Sequence, residues 1–207
     1  AGKELARSLL LSQAGRRPVT LVGFSMGAQI VYCCLKELTK YQEKWEEIQE
    51  MISKGIEIDY SKKGPYEGLA GMRQPASIVE DAVMMGLPKH LTIRSWYSIR
   101  QIVAGRLINC YSRKDLILTL MFRMKQMKLK RRICGTSPVC VPGVENVDVS
   151  DLILSHTDYC YKVGEILQRV RYGEPTKGPN DMVADVLVET EKVVEEFVTK
   201  ELGTETS

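Results

Sequence analysis

Ser25, Asp115 and His156 are the residues of this sequence whose types, order and surroundings fit nucleophilic chemistry. Ser25 lies in Gly23-Phe24-Ser25-Met26-Gly27, after Pro18-Val19-Thr20-Leu21-Val22 and before the apolar run from Ala28 to Leu35. This order predicts a strand, a tight turn and a helix, with the serine hydroxyl exposed on the turn close to a helix N-terminus. Side chains at positions 23 and 27 are expected to collide where strand and helix pack, which would explain both glycines. G-x-S-x-G is a common pattern on its own, so a purely structural turn is the plain alternative.

A serine hydroxyl needs a general base, and the base needs an acid that fixes its tautomer. The chain has two histidines, His90 and His156. His156 follows the alternating segment Gly143-Val144-Glu145-Asn146-Val147-Asp148-Val149 and a short loop, and precedes a helical run from Asp158 to Val170. Histidine on a loop after a late strand is the order serine, acid, histidine expected of an α/β-hydrolase. His90, in Leu87-Pro88-Lys89-His90, reads as a surface or loop histidine. Asp115 leaves the strand Arg106-Leu107-Ile108-Asn109-Cys110-Tyr111 and leads for the acid. Asp81, Asp148 and Asp151 compete with it, and an ordinary loop carboxylate paired with Arg113 or Lys114 is the plain reading of Asp115 itself.

Three stretches together resemble one family: Pro18 to Ala28, Val103 to Ser112 with Asp115, and Gly143 to Leu152 with His156. They are similar to the transmembrane and coiled-coil domain-containing protein 4 family, also labelled domain of unknown function 726. The segment Gly-Val-Glu-Asn-Val-Asp-Val-Ser is more specific than the serine motif. The resemblance implies an α/β-hydrolase domain, with lipase-like activity suspected in fungal relatives and with membrane association. It assigns the triad roles to Ser25, Asp115 and His156, in agreement with the reading from the residues. The full-length relatives are expected to be membrane proteins.

The elements that must position these residues follow from the pattern. The expected fold is α/β, a mostly parallel α/β-hydrolase-like sheet flanked by helices and lacking the N-terminal strands. Only a helix from Lys3 to Gln13 is legible before the nucleophile strand. The Met26 amide is therefore expected to supply one oxyanion donor, with no visible source for a second. A fragment or a degenerate copy is the expectation that follows. Residues 1–170 read as the partial hydrolase domain, 171–179 as a linker, and 180–207 as an acidic amphipathic helix and tail.

Composition sets the outer bounds. At 207 residues, 44% hydrophobic and 27% charged, the chain is ordinary for a globular domain. No apolar stretch approaches the roughly 20 residues of a spanning helix, and no secretory leader is legible. Six scattered cysteines without C-x-x-C spacing favour reduced thiols and a cytoplasmic location. Cys134 and Cys140 flank a loop that could bridge if oxidised. No metal site and no cofactor are expected.

Lys36 to Ser53 carries Leu38, Tyr41, Trp45, Ile48 and Ile52 at helical spacing, which predicts an extension of the first long helix. It reads either as plain packing or as a lid over the active site. After Asp115 come an apolar run and then Arg123, Lys125, Lys128, Lys130, Arg131 and Arg132. Lys128, Lys130, Arg131 and Arg132 are the candidate contacts with an anionic membrane surface, against a solvated basic edge as the alternative. Stacking aromatics do not accompany them, so nucleic acid is not an expected partner, and net charge is only +3. The expected function is hydrolysis of an ester, a lipid ester included. The rival is a catalytically weak or inactive membrane-associated interaction module.

Overall fold

The computed structural model describes residues 1–12, 15–61, 64, 67–126 and 132–171, with side chains from 122 to 126 left aside. The chain divides into units 1–172 and 173–207. The second unit lies outside the described residues, and with it the tail helix and almost all of the linker expected from sequence. Lys128, Lys130 and Arg131 lie outside them too.

Four parallel strands form one sheet in the order of the chain: β1 (Val19–Phe24), β2 (Val79–Met85), β3 (Leu107–Tyr111) and β4 (Val144–Asp148). This is an α/β fold. Helices α1 (Gly2–Leu10), α2 (Met26–Ser53), α3 (Ile93–Arg100), α4 (Leu116–Gln126) and α5 (Tyr159–Arg169) accompany it. Parallel strands covered on both faces need continuous apolar runs. The two central strands have them: all five residues of β3 are buried, and so are Ala82 to Met85 of β2.

The two-residue period of a strand divides these side chains between two cores. Ala82, Met84 and Leu107 pack with Ala6, Leu9, Val31, Leu35, Trp96 and Ile99 of α1, α2 and α3. Val83, Met85, Ile108 and Cys110 face the other way, against Tyr159 and Ile166 of α5. The outer strands differ. Among the described residues β1 has a single strand neighbour, and its Val22 and Phe24 are exposed.

The long helix corrects one expectation. Leu38 is fully buried, Tyr41 packs against the core and Ile48 is buried, so the apolar stripe of α2 is packing. A rigid helix advances about 1.5 Å per residue, which carries positions 36 to 53 about 15 to 40 Å from Ser25. They form no lid over it.

Candidate active site

All three candidate residues sit at the C-terminal edge of the sheet: Ser25 after β1, Asp115 four residues after β3, and His156 after β4. Parallel strands of one sheet end on the same side, so the topology collects their loops at one place.

Ser25 has φ 50 and ψ −120, a conformation that L-residues rarely adopt. Its amide donates to Met85 O at 2.9 Å, which fixes the turn to β2. A Cβ on Gly23 would come within 2.7 Å of Gly27 and Ala28 backbone atoms, so only glycine fits there. Gly27 differs from expectation. A Cβ there meets nothing within 4 Å, so the close approach is made at position 23 and the second glycine is not sterically required. The Met26 amide belongs to the first turn of α2, where backbone donors have no partner inside the helix. Ser25 is the N-cap of this 28-residue helix, so its hydroxyl lies at the helix's positive end.

His156 Nε2 lies 2.7 Å from Ser25 Oγ, and His156 Nδ1 lies 2.6 Å from Asp115 Oδ2. Asp115 is fully buried, and its second oxygen, Oδ1, accepts the Leu118 amide at 2.9 Å. Asp115 is therefore also the N-cap of α4, and one carboxylate serves a ring nitrogen and a helix end. That dual use has a legible signal in sequence, an aspartate directly before an apolar run, which the search for a triad passes over.

The competing carboxylates are engaged elsewhere. Asp81 Oδ1 accepts the Arg106 amide at 2.6 Å. Asp148 pairs with Arg113 at 3.3 Å and accepts from Ser150. Asp151 takes both guanidinium nitrogens of Arg169, at 2.5 and 2.6 Å, which holds its carboxyl down at about 2. Arg113, the partner an ordinary loop carboxylate would have used, thus faces Asp148 and leaves Asp115 to the histidine.

Other groups fix the loops. Ser112, buried, donates to Ile153 O at 2.6 Å, tying the acid loop to the histidine loop. Val149 N–H donates to Tyr111 O, and Arg113 N–H to Ser150 Oγ. Asp158 accepts the amides of Leu154 and Ser155 at 2.9 and 2.8 Å and shares a capping box with Ser155, so the turn that carries His156 is closed on itself. The Tyr159 ring meets the imidazole edge-on, centroids 5.7 Å apart. Burial pushes the Tyr159 hydroxyl above its ordinary range. Gly86, at φ 55, makes room for that ring, because a Cβ there would lie 2.6 Å from it. Ser112 was not legible as a site residue, since its hydrogen bond spans forty-one residues and leaves no local pattern; Asp158 acts within four residues, and the Ser155 to Asp158 spacing of a capping box is the signal that could have found it.

His90 forms an isolated backbone bridge with Ile133, away from this relay. Cys134 is buried and Cys140 exposed, both free. Among the described residues no group of three His, Cys, Asp or Glu could hold a metal ion, and no helix is long and apolar enough to cross a membrane.

Comparison with known proteins adds a family. The profile described as "Protein of unknown function (DUF726)" matches residues 1–64 and 66–173. The transmembrane and coiled-coil domain-containing protein STS1 of Oryza sativa subsp. japonica is 35% identical over 82% of this chain and 21% of its own length. An uncharacterized membrane protein of Schizosaccharomyces pombe is 30% identical over 95% of this chain and 27% of its own. A protein of Saccharomyces cerevisiae named probable lipase MIL1 is 28% identical over 82% of this chain and 13% of its own. The chain thus spans about a quarter or less of the length of these relatives. No solved structure matches it significantly.

Proposed function

The chain belongs to the DUF726 family, and on that premise we propose that it is a serine hydrolase of α/β-hydrolase type that cleaves an ester, of a lipid, by acyl transfer through Ser25. The observation that carries this reading is the unbroken relay from Ser25 Oγ to His156 Nε2 at 2.7 Å and from His156 Nδ1 to Asp115 Oδ2 at 2.6 Å. In the proposed cycle Ser25 Oγ attacks the ester carbonyl while His156 takes its proton. The Asp115 carboxylate orients the ring and stabilises the imidazolium. The Met26 amide donates to the oxyanion. Collapse of the tetrahedral intermediate breaks the bond to the alcohol, which leaves with the proton from His156. Water then repeats the sequence on the acyl-enzyme and releases the acid. No cofactor enters the scheme. The relative named a probable lipase supports the substrate class.

A fluorophosphonate probe tests the assignment. It should label the chain at Ser25, lose all labelling in Ser25→Ala and most of it in His156→Ala. Labelling that survives Ser25→Ala would reject the nucleophile.

One observation favours a second reading, a catalytically weak membrane-associated interaction module. The rice and fission-yeast relatives are named as a transmembrane and a membrane protein, with no enzymatic activity in either name. Absent labelling in both this chain and a full-length relative would favour the module.

A further inference from the structure

Helix α4 wears its apolar residues on the wrong side for a helix facing water. Leu118 points into the core at 3% exposure, with its Cδ2 next to Gly135. The opposite side is expected to be polar. Instead Leu116, Ile117, Leu120 and Met121 are exposed by 73, 42, 59 and 63%. Positions i, i+1, i+4 and i+5 share one side of a helix, so these four form one strip. Two more exposed apolar residues adjoin the other members of the relay, Met26 directly after Ser25 and Leu154 two residues before His156. Because the three side chains of the relay meet within hydrogen-bonding distance, these neighbours gather around one site. Isolated exposed apolar residues are ordinary, whereas a strip that starts directly after the Asp115 cap, with Met26 and Leu154 next to the other two members of the relay, is a candidate recognition surface.

We propose that this strip of α4, with Met26 and Leu154, docks the protein on an anionic phospholipid bilayer and presents Ser25 to esters held in it. Charge complementarity selects that occupant. The sequence passes from the apolar strip straight into Arg123, Lys125, Lys128, Lys130, Arg131 and Arg132. Arg132, the described residue that ends the run, is exposed. A bilayer surface offers acyl chains to Leu and Met and headgroup phosphates to Lys and Arg within a few ångströms, the pairing a basic amphipathic segment requires. The docking strip is also joined to the chemistry, since the carboxylate that receives His156 caps α4. The substrate half of the inference rests on the proposed hydrolase reading, and the docking half does not.

Co-sedimentation with vesicles of phosphatidylcholine, with and without phosphatidylserine, tests it. The parent chain should bind the phosphatidylserine vesicles, and added salt should weaken binding. The double variant Leu120→Asp, Met121→Asp should lose affinity by about tenfold or more. The variant with Lys128, Lys130, Arg131 and Arg132 changed to Gln should lose the preference for phosphatidylserine. Ile52→Asp, an exposed apolar residue at the far end of α2, should bind as the parent does. Circular dichroism melting confirms that each variant is folded. A parent that ignores phosphatidylserine vesicles overturns the proposal, as does equal binding by the α4 double variant. A double variant that turns a dimer into a monomer while still binding vesicles overturns it too, because a second copy would then occupy the strip. Fluorophosphonate labelling is read separately: binding that depends on α4, with no labelling of this chain or of a full-length relative, leaves the docking and removes the hydrolase.

Discussion

β1 and β3 each deliver one member of the relay, and they are opposite kinds of strand. Every residue of β3 is buried, and the carboxylate that follows it is enclosed, shared between His156 and the first turn of α4. Among the described residues β1 has one strand neighbour and exposes Val22 and Phe24, and the serine that follows it sits in a strained, half-open turn. The acid is thus held by packing and by two hydrogen-bond obligations. Ser25 is held by its backbone turn and by a single side-chain contact, from its hydroxyl to His156 Nε2. The comparison teaches that changes near Asp115 should disturb structure and chemistry together, whereas changes at Ser25 should separate them.

Replacing Ser25 with glycine is the sharpest way to test that separation. A left-handed conformation costs an L-residue about 1 to 3 kcal/mol, and glycine adopts it freely. Ser25→Gly should therefore abolish fluorophosphonate labelling and raise stability in urea by about 1 kcal/mol. A destabilised Ser25→Gly would mean the turn carries no strain. Next in size is Asp115→Asn, which keeps a residue able to cap α4 but presents the wrong partner to His156 Nδ1. Labelling should slow by about four orders of magnitude, as tautomer errors do in other triads, and stability should fall by about 1 to 3 kcal/mol, because a buried group loses its hydrogen bond to His156. Full labelling by this variant would transfer the acid role elsewhere.

Gly23→Ala and Gly27→Ala divide the motif. The first should destabilise by about 1 to 3 kcal/mol through the clash with the start of α2, and the second should stay within about 0.5 kcal/mol of the parent. Equal effects would contradict the close approach at position 23. Ser112→Ala removes the donor to Ile153 O and should cost about 1 to 3 kcal/mol, with slower labelling because the histidine loop is loosened. The smallest effect expected is in the thiols. Burial pushes Cys34 and Cys110 up to about 12 and Cys134 up to about 11, so these should resist iodoacetamide at neutral pH. Cys140 and Cys160, both exposed, should react in the native chain. Rapid alkylation of Cys110 would show that the centre of the sheet opens as readily as its edge.

Much of this arrangement was legible because the signals are local. A serine between glycines after an apolar strand, a chain with two histidines and an aspartate at a strand end place the relay within a few residues of one another's loops. What escaped was either weakly patterned or non-local. α3 is an eight-residue helix with two β-branched and two aromatic residues, poor in helix formers, and only the i, i+3 burial of Trp96 and Ile99 marks it. Gly27 misled because the motif is symmetric in letters while the packing is not. The lid reading of the long helix failed on length: an apolar stripe records that a helix is packed, without recording how far its axis has carried it from the site. The pairing of Arg113 with Asp148 was hidden in the same way, by a partner thirty-five residues off.

The strand order of the sheet has a consequence for assembly. Each strand pairs with the one before it in the chain, so the sheet can grow by adding neighbours in sequence order, each step closing one loop. Ser25 enters with the first strand and Asp115 with the third, but neither is connected to the other until the last loop docks. His156 then bridges them in one event. On the proposed reading, Ser25 would therefore gain its base only when the loop after β4 docks, long after the strand that carries the serine has been made.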